Sequence, residues 1–382
     1  MPKLTEVSAM RALICGAGIA GLTLAWWLRR ADWEVTVVER APGPRPDGYM
    51  MDFFGSGYDI AERMGLIDRI VAADAGITAL RYTTADGEPR GGVSYASMRA
   101  ALDGRLISLM RGDLDRVLRE AVPDLDIRYG TSLADADTLT DGSPVDADLV
   151  VGADGIHSRV RELTFGPERA FLRPLGYHTA SYLLTDPDLA DAVGDRFRIV
   201  AQPNRQAGLY PAGGHLATMF VHATDAPLTD NPRALLKARF AGMGELVDRA
   251  LDHCPDDPYY DTVAQIELPS WHRGRTVLIG DAAHAVSLMA GQGASLAMAA
   301  AWVLAGELAK ADVPRALPAY EARMRPFAEA KQRSGRRAAR WMLPESRWKI
   351  SLRNRLLGVA DLPGGPTVVR KAMAGTASSI VG

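Results

Sequence analysis

The sequence predicts an α/β fold in which a parallel sheet assembled from distant segments carries an inserted, mainly antiparallel β-sheet and is followed by C-terminal helices. Three observations predict it. Ala12 to Cys15, a glycine turn from Gly16 to Gly21, a helical pattern from Leu22 to Arg30 and a strand from Glu34 to Val38 make one βαβ unit, which requires parallel strands. Two more buried-strand runs, Leu149 to Val151 and Thr276 to Ile279, each end beside glycine and aspartate. Between them, residues 171 to 267 alternate short apolar runs such as Phe197 to Ala201 and Leu216 to Val221 with Pro and Gly, the pattern of antiparallel strands.

The elements order accordingly. Residues 10–77, 94–170 and 268–312 are expected to form one discontinuous domain, with 78–93 and 171–267 as the inserted sheet and 313–382 as a helical segment. The piece from Thr78 to Val93 turns at Asp86-Gly87, a hairpin signal. From Pro314 onward the pattern is helical, with Pro318, Pro326 and Pro344 as expected breaks. Residues 285–306 run 22 positions without a charge, long enough to span a bilayer. Gly291, Gln292 and Gly293 interrupt the run and Asp281 and His284 adjoin it, so we read a loop leading into a buried Ala-rich helix and expect no membrane span.

Composition narrows the function. A chain of 382 residues exceeds a minimal binding module. Lys plus Arg total 44 against 46 acidic residues, a net charge of −2, which argues against a nucleic-acid binder. Cys15 and Cys254 are isolated in sequence, so neither a disulfide framework nor a metal site is expected and a reducing cytoplasm fits. Met1 to Ala9 holds no apolar stretch of a secretory leader. Glycine is abundant, 37 residues, suggesting close approach of backbone to something at several places. Residues 321–355 carry a net charge of +8 against −10 for the rest. A solvated helical face and an anion-attracting or partner surface both fit that segment.

Gly16, Gly18, Ala20 and Gly21 line a dinucleotide fingerprint: a tight turn, a place for pyrophosphate to approach the backbone, and close packing of helix on strand. Glu39, with Arg40 after it, lies where a carboxylate binds ribose hydroxyls and repels a 2′-phosphate, so the turn should hold FAD or NAD and reject NADP. The fold is therefore expected to be Rossmann-like. Asp154-Gly155 follows the second strand, and Gly280-Asp281-Ala-Ala-His284 with Gly291-Gln292-Gly293 follows the third.

With these three ordered motifs the chain, over residues 10 to about 312, resembles the single-component FAD-dependent aromatic hydroxylases of the para-hydroxybenzoate hydroxylase type, and within them the tetracycline-inactivating branch and its actinobacterial relatives. The resemblance implies that Asp281 accepts from a flavin ribityl hydroxyl and that the amides of Gly291 to Ala294 position the isoalloxazine, with Gly280 and Gly155 close to the cofactor. It implies that Asp154 serves FAD and nicotinamide, that Arg111 of Arg-Gly-Asp-Leu and Asp52 contact FAD, and that Arg45 contacts NADPH. His284 is expected to be structural. The chain departs from many relatives at Leu288, where they have Pro, and at Ala299-Ala300, where they have Glu-Asp.

The implied reaction uses NADPH or NADH and O2: reduced FAD adds dioxygen at C4a, and the hydroperoxide oxygenates an aromatic or polyketide-like phenol or enol. The flavin carries the chemistry, so no catalytic side chain is assigned. Gly242-Met-Gly244 lacks a third glycine, which argues against a separate nicotinamide domain. No lysine stands between Lys3 and Lys237, which argues against a flavin halogenase. An FAD oxidase or dehydrogenase without oxygen transfer, or a catalytically silent flavin-bound protein, remain alternatives. Tyr210, His215, Met219 and Phe220 on the inserted sheet are substrate candidates, the sparse charge there favouring an apolar, polycyclic ligand, and a monomer or homodimer is expected.

Overall fold

In a computed structural model of the chain, residues 9–44, 49–362, 364–365, 367, 369–370 and 378–381 are described. A six-stranded sheet has the order His272–Arg273, Thr276–Leu278, Leu149–Gly152, Arg11–Cys15, Glu34–Glu39, Asp126–Tyr129. Its pairings are parallel except that between its first two strands. Helix α1 (Ile19–Arg29) crosses over from the Arg11–Cys15 strand to its neighbour, as a parallel pair requires. Helix α2 (Arg111–Glu120) and helix α3 (Gly293–Leu308) pack against α1. Ala299 and Ala300 of α3 have no exposed surface, so carboxylates at those positions would face heavy desolvation.

The second sheet has eight strands and is mainly antiparallel. It includes Ala79–Thr83 and Pro89–Ser94, which reach Arg196–Gln202 through a parallel pairing. Its centre is Arg205–Ala212 against His215–Ala223, and strand parity divides their side chains. Ala207, Leu209 and Phe220 pack beneath the helices Pro232–Phe240 and Glu245–Asp252. Tyr210, Ala217 and Met219 face the other way.

Helix α4 (Val313–Met342) corrects one expectation, because it runs unbroken through Pro318 and Pro326. Each proline removes one backbone hydrogen bond, a cost of about 3 kcal/mol. Ala316, Leu317, Tyr320, Met324 and Ala328 are buried along 30 residues of helix, and that packing outweighs the losses. Pro344 does end it, and helix α5 (Arg347–Gly358) follows.

Candidate active site

Three loops meet at the carboxyl ends of the parallel strands. At the first, Gly16 holds φ +112° and its N–H donates to Val38 at 2.7 Å. A Cβ there would stand 2.3 Å from the Ala153 carbonyl oxygen, so the Gly16 turn and the Asp154-Gly155 turn touch through bare backbone. A Cβ at Gly21 would lie 2.0 Å from the Gly16 oxygen, which locks α1 onto the turn. The third loop closes on the same helix: Gly280, at φ +59°, leaves a Cβ position 3.0 Å from the Ala20 methyl.

Charges converge on this junction. Arg111 opens α2, and its N–H donates to the Tyr49 carbonyl at 3.1 Å. Its guanidinium pairs with Asp115 at 3.3 Å and reaches the Gly18 backbone, where an added Cβ would be 3.3 Å from Nη2. Burial disfavours its charge, but Asp115, Tyr49 and Asp281 hold it protonated. Asp281 is surrounded by protein atoms yet keeps solvent-accessible surface. Burial pushes its carboxyl up and Arg111 opposes the shift. Tyr259, half exposed, holds its hydroxyl 3.5 Å from Asp261 and lies within the electrostatic reach of Asp281, Tyr49 and Arg111.

Glu39 reaches back to the fingerprint, accepting from the N–H of Ala17 at 3.0 Å and of Ala41 at 2.8 Å, while Arg40 is exposed. The Asp154 carboxylate is engaged locally, accepting from Ser158 Oγ at 2.5 Å and the Val160 N–H at 3.0 Å, and Gly155 turns at φ +82°. Asp52 accepts from Ser108 Oγ at 2.7 Å and Tyr95 at 3.1 Å, and its charged neighbours are Arg99 and Asp74. Arg45 falls outside the described residues.

The Gly291 loop delivers a helix start. Gly291 adopts φ +61°, Gln292 precedes the first turn of α3, and the Ser295 hydroxyl is turned away to the Phe54 carbonyl at 2.8 Å. The amides of Gly293 and Ala294 belong to the turn that has no acceptor within its own helix, and the positive end of its dipole faces outward there. His284 is buried, its ring against Trp271 at 4.7 Å, and burial pushes its pKa down to about 3. It is therefore neutral at physiological pH, in keeping with a structural role.

The substrate candidates divide. Tyr210 is buried on the sheet face near Tyr49, accepting from the Met50 N–H at 2.9 Å, and burial pushes its hydroxyl up to about 12. Met219 joins Met289, from the loop ahead of Gly291, and Val221 in one apolar cluster. Phe220 lies on the opposite face against Phe240 at 4.9 Å, and exposed His215 meets Thr185 at 2.9 Å. Tyr49, Tyr259 and Met289 escaped the sequence reading: Tyr49 and Met289 are brought in by connecting segments, and Tyr259 by the first position of the strand Tyr259–Ile266, whose courses no spacing encodes.

Among the described residues no group of three or more His, Cys, Asp or Glu is arranged to hold a metal, and no helix is long and apolar enough to cross a membrane. Amides at the start of α1 and the Arg111 guanidinium suit a pyrophosphate, those at the start of α3 suit the negative edge of a flavin ring, and the Glu39 and Asp281 carboxylates suit hydroxyls. This donor set fits FAD.

Residues 9–334 match the family model described as FAD binding domain. The chain is 33% identical to a monooxygenase, CTB7, of Cercospora beticola, over 90% of each chain. It is 31% identical to a flavin-dependent monooxygenase of an unknown prokaryotic organism, over 85% of this chain and 88% of the relative. The crystal structure of tetracycline destructase Tet(55) superposes with a TM-score of 0.80 at 24% identity, covering 97% of this chain and 98% of that one. The chain thus belongs to the FAD binding domain family and is a flavin-dependent monooxygenase.

Proposed function

We propose that the chain uses FAD, with NADPH or NADH as reductant and O2 as oxidant, to hydroxylate an aromatic or polyketide-like phenol or enol. One observation carries the reading: the Arg111 guanidinium lies against the Gly18 turn and its charge acts on Asp281, so separate segments supply phosphate donors and hydroxyl acceptors at one junction. Bound FAD supplies two-electron redox chemistry and activates dioxygen. Gly16, Gly18, Arg111, Glu39 and Asp281 hold it, with Gly155 and Gly280 shaping the adjoining turns. Gly291 to Ala294 orient the ring and favour negative charge at its edge. Met219 and Tyr210 mark the sheet face that receives the substrate, and the apolar surroundings exclude water. Residues 10–77, 94–170 and 268–312 make up the FAD-binding domain in this reading, with 78–93 and 171–267 as the substrate-binding domain and 313–382 as the helical segment. A cytoplasmic setting accords with the two free, buried cysteines, and the reading takes the protein as a monomer or homodimer.

The test incubates purified protein with FAD, NADPH or NADH and a panel of phenols and polycyclic enols. Nicotinamide oxidation, peroxide and oxygenated product are measured together. Substrate-stimulated turnover with matching product is expected. Peroxide with dehydrogenated, unoxygenated substrate and no nicotinamide consumed would favour the oxidase alternative, peroxide at the expense of nicotinamide alone would refute oxygen transfer, and flavin binding without any turnover would favour the silent one. Asp281→Ala is expected to lose FAD during purification, and full occupancy would refute its role.

A further inference from the structure

Helix α5 turns Leu357 and two polar side chains inward and much of its apolar surface outward. Its buried residues are Arg353 and Asn354, whereas Trp348, Leu352 and Leu356 are 65%, 48% and 50% exposed. The polar side is firmly held. The Arg353 guanidinium lies 3.8 Å over the Tyr82 ring and donates to the Met342 carbonyl at 2.6 Å. Gly91 approaches so closely that a Cβ would stand 2.4 Å from the Asn354 oxygen. The helix cannot roll its apolar side inward without breaking these contacts.

Residues spaced four apart share one face of a helix, so Trp348, Leu352 and Leu356 form a stripe. Val359 and Leu362 beyond it and Trp341 before it are exposed as well. The surroundings are basic: Arg347, Lys349 and Arg355 are exposed on α5, as are Arg333, Arg337 and Arg340 on α4, while the acids there are paired, Glu345 with Lys349 at 3.1 Å, Glu329 with Arg333 at 3.8 Å and Asp361 with Arg81 at 3.4 Å. A second copy placed stripe to stripe would bring these like charges together. A nucleic acid would stack on Trp341 and Trp348 but leave Leu352, Leu356, Val359 and Leu362 against its bases and backbone with no hydrogen bond to give. An anionic lipid surface satisfies both features, taking the apolar stripe into the headgroup boundary and the cations against its charge.

We propose that α5, with the arginine-rich end of α4, docks the protein peripherally on anionic bilayers. The 12-residue helix, about 18 Å long, would lie flat in the interface. Met342 and Leu343, which lead into α5, pack with Met289 and Met219, so docking would hold the substrate-facing side of the sheet near the bilayer. That consequence rests on the proposed reaction, whereas docking itself is read without catalysis.

The experiment sediments the FAD-loaded full chain with phosphatidylcholine vesicles, with and without phosphatidylserine. Binding to phosphatidylserine vesicles is expected, at least about tenfold weaker without that lipid or at high salt. Trp348→Glu/Leu352→Glu/Leu356→Glu should lose binding while retaining FAD. Arg347→Glu/Lys349→Glu/Arg355→Glu should weaken it by about tenfold or more. Failure of the wild-type protein to sediment with phosphatidylserine vesicles would overturn the proposal. So would a wild-type dimer that the apolar triple variant abolishes, since a second copy would then cover the stripe. If that variant precipitates, the lipid and salt dependence of the wild-type protein decides.

Discussion

Replacing Gly18 by alanine separates a glycine needed for the cofactor from one needed for the fold. Gly18 has φ −90° and ψ −170°, a conformation alanine adopts without strain. Its new Cβ would lie 3.3 Å from Arg111 Nη2, the movable end of a long side chain, so the protein can accommodate it. The methyl would occupy the space through which pyrophosphate reaches the α1 amides. Losing one or two charge-assisted hydrogen bonds costs about 3 kcal/mol, roughly 150-fold in Kd. Apoprotein made by removing FAD would be titrated with FAD by flavin fluorescence, and its thermal unfolding measured in parallel. Gly18→Ala should keep the wild-type apoprotein Tm and lose affinity. Gly21→Ala, whose Cβ would stand 2.0 Å from the Gly16 oxygen, should instead lower the Tm of the apoprotein. Unchanged FAD affinity in Gly18→Ala, or an apoprotein Tm as low as that of Gly21→Ala, would refute the reasoning.

Phe220→Ala should destabilise the protein by about 3–5 kcal/mol in urea unfolding, because its ring fills the helix-covered core, while leaving substrate preference unchanged. Met219→Ala should change KM across the substrate panel more than it changes stability. Pro326→Ala restores a helix donor inside α4 and should raise the Tm by a few degrees in a thermal melt. His157 bridges Asp261 and Glu168, each at 3.1 Å, and its hydrogen bond to Asp261 lifts its pKa to about 9. Since the folded value lies above the ordinary 6.5, the stabilisation is complete below pH 6.5 and disappears as pH rises through 9. The ring is half exposed, so we expect about 1 kcal/mol after screening. Wild type and His157→Gln should therefore converge in urea stability by pH 10, and a constant difference would count against the bridge.

The βαβ unit was legible because its causes are local: Gly16, Gly21 and Glu39 act within thirty residues, and close approach of backbone leaves its mark as glycine. Convergence of Arg111 on Gly18 and Asp281 was not legible from spacing, since it depends on how segments 170 residues apart cross in space. Resemblance supplied those roles, and they remain part of the proposed function. The substrate candidates illustrate a different limit. Met219 and Phe220 are adjacent, so at most one can face the flavin loops, and the alternating pattern carries no label for which side is which. The prolines of α4 failed as helix breaks because local propensity yields to thirty residues of packing.

Oxygen transfer is the central claim, and isotope labelling tests it most directly. Turnover under isotopically labelled dioxygen, with a substrate that stimulates nicotinamide oxidation, should place one labelled atom in the product for each NADPH or NADH consumed. Product carrying unlabelled oxygen, or labelled peroxide with the substrate untouched, would contradict the account.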